Sequence, residues 1–127
     1  MTEFEQYIRI AVAALPERIK TALENVEFIV EEEVRALHAS EAGIRMHEIL
    51  LGLYKGIPKI KRGSGYFGVL PDKITIFQKP IEELAGHNER KIKELVREVV
   101  WHEIGHHLGF DEKAIRAVER KRSARKQ

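Results

Sequence analysis

His102-Glu103-Ile104-Gly105-His106 sets two imidazoles four residues apart with a carboxylate between them. Positions four apart on an α-helix lie on one face, so both rings can address one metal ion. Imidazole combined with carboxylate suits Zn²⁺, whose catalytic sites use three protein ligands and keep one position open for water. Glu103 is rotated by about 100° from His102, so it flanks such a metal and is placed to take a proton from water activated there. Gly109 and Glu112 follow at spacings that extend the pattern to HExxHxxGxxE. On an unbroken helix Glu112 would lie about 9 Å beyond His106 and on the wrong face. Gly109 adopts positive φ cheaply and can supply the reversal that a third ligand at 112 needs. The residues therefore point to His102, His106 and Glu112 as zinc ligands and to Glu103 as general base. A helix whose histidines are merely solvated or packed in a core would carry the same five letters. The later glycine and acid weigh against that reading.

These residues need a helix to hold them, and the surrounding sequence provides one. Ile92, Leu95, Val96, Val99, Val100 and Ile104 form an apolar stripe at helical spacing from about Asn88 to Leu108, with Asn88 as N-cap and Gly109 as terminator. Upstream, Phe4, Tyr7, Ile8, Ala11 and Leu15 predict a helix over 2–15 capped by Thr2, and Pro16 kinks it or opens another running to about Asn25. Val26 to Val30 reads as a strand, and Ile49 to Ile57 as a second one interrupted by Gly52. Residues 33–43 read as a helical or loop excursion ending at Gly43, and 59–71 as a loop. Lys73 to Gln78 is the clearest strand, bounded by Pro71-Asp72 and Pro80. A last basic helix is expected from about Glu112. Helices around a short, mostly hairpin-connected sheet make an α+β domain.

Bulk properties narrow the classes further. At 127 residues the chain fits one domain, 1–127, and its 43% hydrophobic and 33% charged residues describe an ordinary globular protein. The formal charge of +2 gives no overall field for nucleic acid or anionic lipid. Charge is uneven, however: 113–127 holds seven basic side chains against the single acid Glu119. This tract reads as a solvated helix or tail, with docking to nucleic acid or an acidic partner as the lesser alternative. Cysteine is absent, which rules out disulfides, thiolate zinc sites and cysteine nucleophiles. The N-terminus lacks a signal-peptide pattern, and no apolar run approaches the roughly 20 residues of a membrane span, so a cytoplasmic location is expected.

Three segments together resemble one family. His102 to Gly109, Gly52-Leu53-Tyr54-Lys55-Gly56-Ile57-Pro58 and Leu70-Pro71-Asp72-Lys73-Ile74-Thr75-Ile76-Phe77 are similar, in order and spacing, to the small bacterial zincin-like metallopeptidases. The resemblance runs from Phe4 to Glu112. It implies a minimal zincin fold, with a short mixed or antiparallel sheet packed on an active-site helix and further helices at both ends. It also implies zinc on His102 and His106, Glu103 as catalytic carboxylate, and residue 112 as third ligand. The family commonly has Asp where this chain has Glu112. Glutamate's extra methylene changes the backbone position required, so Asp111 competes for the role, with Glu119 a remote third. No methionine follows the helix to form a metzincin-type turn.

The implied chemistry is hydrolysis of peptide bonds in a peptide or protein substrate. Zinc lowers the pKa of its water toward about 7, Glu103 takes the proton and later passes it to the leaving amine. A substrate strand is expected to pair with an exposed sheet edge, for which Lys73 to Gln78 is the candidate. Tyr54 and Tyr66 are candidate oxyanion donors, although packing is the plainer role for each. The rival reading is a non-catalytic zinc-binding module that holds a protein or nucleic-acid partner; a closed structural site would have no need of Glu103. Oligomeric state and substrate identity are not legible.

Other features read as structural. Gly63-Ser64-Gly65-Tyr66-Phe67-Gly68 matches GxGxxG, but Pro71 follows too soon for the helix a dinucleotide site requires. Lys59, Lys61 and Arg62 beside it read as solvated surface or as steering charge for an acidic substrate. His107 lies off the ligand face and reads as a supporting or packing residue. His38, His47 and His87 are isolated, and Trp101 reads as core or cleft wall.

Overall fold

The computed structural model describes residues 1–23, 25–42, 50–56, 71–110, 113, 114 and 117. Helix α1 (Glu3–Ala13) starts where expected: the Thr2 hydroxyl accepts from the Glu5 backbone N–H at 3.1 Å, satisfying one orphan donor of the first turn. Its stripe buries Phe4, Ile8 and Ala11, and Leu15 continues it beyond the helix. Pro16, whose fixed φ suits a helix start, opens α2 (Glu17–Ala22). Strand β1 (Val26–Glu31) and helix α3 (Ala36–Ala42) follow. In α3 the His38 Nδ1 accepts from the Arg35 N–H at 3.1 Å, so this isolated histidine serves as a helix cap.

Strand β2 (Gly52–Lys55) is shorter than the predicted segment, and β3 (Asp72–Phe77) matches its prediction to within a residue. The sheet order is β1-β3-β2. β1 runs parallel to β3, with Phe28 opposite Ile74 and Val30 opposite Ile76, whereas β2 runs antiparallel, with Tyr54 opposite Ile74 and Gly52 opposite Ile76. Two sequence expectations are thereby corrected. The sheet is the mixed alternative of the fold expectation, but one of its two described pairings is a parallel crossover instead of a hairpin, and among the described strands Lys73 to Gln78 is central, not an edge available to a substrate. Its burial gives the physical reason. Every residue of β3 except Lys73 is buried, as for a strand covered on both faces. Ile74 and Ile76 join the main core, while Phe77, on the opposite face by alternation, meets the His38 ring edge-on at 5.0 Å.

Residues Gln78–Leu84 form helix α4, a stretch to which the sequence assigned no element beyond the strand boundary at Pro80. Pro80 sits in the first turn, where its missing N–H is one of the orphan donors anyway, so it does not break the helix. Helix α5 (Glu89–His107) carries the motif; the Asn88 side chain caps it by accepting from the Lys91 N–H at 3.0 Å. Ile92, Val96, Val99, Val100 and Ile104 are buried against α1 and the sheet. The result is an α+β arrangement in which the described strands form a three-stranded mixed sheet that supports the motif helix. The basic tract lies outside the described residues, apart from Lys113, Ala114 and Ala117, which are helical. No helix among the described residues is long and apolar enough to cross a membrane.

Candidate metal centre

The last two turns of α5 present two different faces. His102 and His106 are half-buried on one face, with ring centroids 5.2 Å apart and planes inclined at 68°. Imidazole nitrogens bound at about 2.1 Å to one tetrahedral zinc would hold their ring centroids roughly 5 Å apart, so this spacing fits a shared ion. Glu103 and His107, each one residue further along, turn toward the sheet and are buried.

Glu103 is 7% exposed and packs over β2. A Cβ on Gly52 would stand 3.1 Å from Glu103 Cγ, 3.3 Å from its Oε2 and 2.6 Å from Val99 Cγ1. The glycine read from sequence as an interruption of the strand is therefore the place where strand and helix approach too closely for any side chain. The closeness brings the Glu103 carboxylate against β2. Among the described strands, β2 also forms the sheet edge on that side, and it replaces β3 as the edge nearest the motif.

His107 is fully buried, and its Nδ1 lies 2.8 Å from Oδ2 of Asp72, itself only 2% exposed. The Tyr54 hydroxyl donates to the same oxygen at 2.7 Å, and the Tyr54 ring stands edge-on to His107 with centroids 6.0 Å apart. Asp72 was legible in the sequence only as a turn residue before β3. Strand alternation places it on the same face as Ile74 and Ile76, toward α5, and a buried acid at that position is the signal that could have marked it. Tyr54, considered as an oxyanion donor, is directed to Asp72 instead. A side chain at Gly56 would overlap the Asp72 carboxyl carbon and oxygen, so position 56 leaves room for the carboxylate.

Helix α5 ends at His107 with Leu108 as its C-cap, and Gly109 takes φ 101°. The Phe110 N–H donates to the Gly105 carbonyl at 2.9 Å and the Gly109 N–H to the His106 carbonyl at 3.0 Å, the paired bonds of a Schellman cap. The chain thus turns back directly after the second imidazole. Glu112 and its competitor Asp111 lie outside the described residues, as do Tyr66, His47 and the GxGxxG segment. Among the described residues no three His, Cys, Asp or Glu side chains gather as a metal-binding group. His102 and His106 have the type and spacing of a ligand pair, while the residues expected from the sequence to complete it, Glu112 or Asp111, are outside the described residues. Trp101 is half-buried and packs on the core, and His87 sits exposed in the α4–α5 turn.

No curated protein matches this chain. A family model, however, covers residues 23–122, from before β1 through the whole of α5 and past Glu112, and it describes zincin-like metallopeptidases. With most of its length matched and an α+β core carrying HExxH on the longest of the described helices, the chain belongs to the zincin-like metallopeptidase family.

Proposed function

We propose that the protein is a zinc-dependent peptidase in which His102, His106 and Glu112 hold the metal and Glu103 is the general base. The observation that carries this reading is the pairing of His102 and His106 at 5.2 Å on one face of α5, with the Glu103 carboxylate beside them against β2. Zinc, when bound, supplies the Lewis acidity that makes water and a peptide carbonyl reactive near neutral pH. The chain's own residues do the rest. Glu103 accepts the proton of the attacking water and delivers it to the departing amine, one carboxylate serving as base and then as acid. Its burial keeps it out of bulk solvent, against the strand at Gly52. A substrate in extended form would lie along β2, the described edge nearest Glu103, and pair with its main chain.

Glu103→Gln tests the proposal. The amide keeps the shape of the side chain and cannot take a proton, so the variant should retain its zinc by elemental analysis while losing cleavage of a proteome-derived peptide library by 10²-fold or more. His106→Ala should lose the metal itself. Cleavage by Glu103→Gln at the parent rate would refute the catalytic role. A parent that binds zinc but cuts no peptide would instead favour a binding module.

A further inference from the structure

We propose that Asp72 is the positioning residue of the histidine pair: through His107 it sets the rotation of the last turns of α5, and so where His102 and His106 point. The inference rests on the zinc reading above and adds to it a residue from another element, 35 positions away in sequence.

The argument begins with what apolar packing leaves undetermined. The stripe from Ile92 to Ile104 buries α5 well, yet contacts between aliphatic groups are non-directional. An imidazole nitrogen stands several ångströms from the helix axis, so a rotation of about 10° moves it by roughly 1 Å. Metal sites require their ligands within about 0.5 Å of the productive position. Something directional must therefore fix the rotation, and a contact made by the residue next to a ligand does so with the shortest lever. His107 is that residue. It follows His106 directly, shares the inward face with Glu103, and meets Asp72 at 2.8 Å.

The carboxylate is in turn held from the sheet. Asp72 heads the central strand, and its Oδ2 accepts from Tyr54 on β2 as well as standing against the His107 ring. Against an ionised carboxylate, which only accepts, this contact requires the proton on His107 Nδ1, a donor with a defined direction. Gly56 keeps β2 clear of the carboxyl group. One oxygen thus joins two strands to the last turn of the motif helix. Stability alone is a poor reason for such an arrangement, because a buried polar pair must offset its own desolvation and an apolar pair of similar volume would pack as well. What the polar pair adds is direction.

The test measures metal binding, not activity. Zinc affinity is obtained by competition with a chromophoric chelator, and the ligand field from the visible spectrum of the cobalt(II)-substituted protein. Asp72→Asn should weaken zinc binding about tenfold and alter the cobalt bands, with the fold retained by circular dichroism. His107→Leu should do likewise, whereas His107→Asn, whose amide nitrogen replaces Nδ1 as donor, should recover most of the affinity. If Asp72→Asn does not fold, the comparison of His107→Asn with His107→Leu decides the matter. Variants that lower only the melting temperature, leaving zinc affinity and cobalt spectrum unchanged, would overturn the proposal, as would equal affinity in His107→Asn and His107→Leu. His102→Ala and His106→Ala are the control arm: if these bind zinc like the parent, the zinc reading fails. If they lose zinc and the Asp72 and His107 variants keep it, the positioning role fails alone.

Discussion

The two ends of α5 are held by different physics. From Ile92 to Val100 the helix is fixed by aliphatic side chains buried against α1 and the sheet, with no polar group turned inward. From Glu103 onward the inward face is polar: a carboxylate lies over Gly52, and a fully buried imidazole meets Asp72. The first arrangement supplies most of the free energy that keeps the helix on the sheet, because apolar burial scales with area and asks little of geometry. The second supplies little area and strict direction, and it lies on the face next to that of the half-buried His102 and His106. Stability and site geometry are thus assigned to separate stretches of one helix.

Substitutions can separate the two stretches. The largest expected effect on stability is from Ile92→Ala in the apolar stretch, which should cost about 2–5 kcal/mol in denaturant unfolding while leaving zinc content per folded molecule unchanged. A loss of zinc in the folded fraction would show that the two stretches are not independent. Gly52→Ala should cost less, about 1–3 kcal/mol, because the new methyl must displace the stiff Val99 side chain. Its cleavage rate should nevertheless fall further than that of Ile92→Ala, since Glu103 is moved as well; equal rates in the two variants would contradict the arrangement.

Helix ends offer a finer comparison. α4 and α5 finish in the same paired-bond cap, with Gly86 at φ 64° and Gly109 at φ 101°. Alanine at Gly86 can adopt a left-handed conformation in open space, at a cost of about 1 kcal/mol. Alanine at Gly109 meets a φ outside that well and should be more costly, about 2 kcal/mol, with reduced zinc retention that Gly86→Ala does not show. Equal zinc retention would mean that the turn after His106 is not needed for the site. The smallest effect belongs to the exposed Lys79–Glu33 pair at 2.8 Å. Its hydrogen bond to Lys79 holds the Glu33 carboxyl below its ordinary range. Any stability it adds is therefore present above the normal carboxylate pKa and disappears as pH falls through the lowered one. Both groups are exposed, so Lys79→Met should leave thermal unfolding at neutral pH unchanged within error.

Much of this architecture follows from short-range rules. Thr2 and Asn88 cap the helices they were expected to cap, the apolar stripe of α5 is buried, and β1 and β3 lie where branched and aromatic residues cluster. Where such rules misled, the cause was a position within an element or a neighbour from elsewhere in the chain. Pro80 reads as a stop, yet it falls in the first turn of α4. Gly52 reads as a flaw in a strand until Val99 and Glu103 are seen above it. β3 reads as a possible edge because nothing local shows that β1 and β2 flank it.

By itself, then, the sequence determined the helix that carries His102 and His106, the four-residue spacing that puts them on one face, and the turn at Gly109, because each depends on backbone geometry within a few residues. Tertiary structure alone decided that Asp72 and Tyr54 would meet His107 and that β2 would press against Glu103. Those contacts join residues far apart along the chain, and no periodicity records them. They form only when the strands and the helix bury a common apolar face, bringing a few polar groups together out of water.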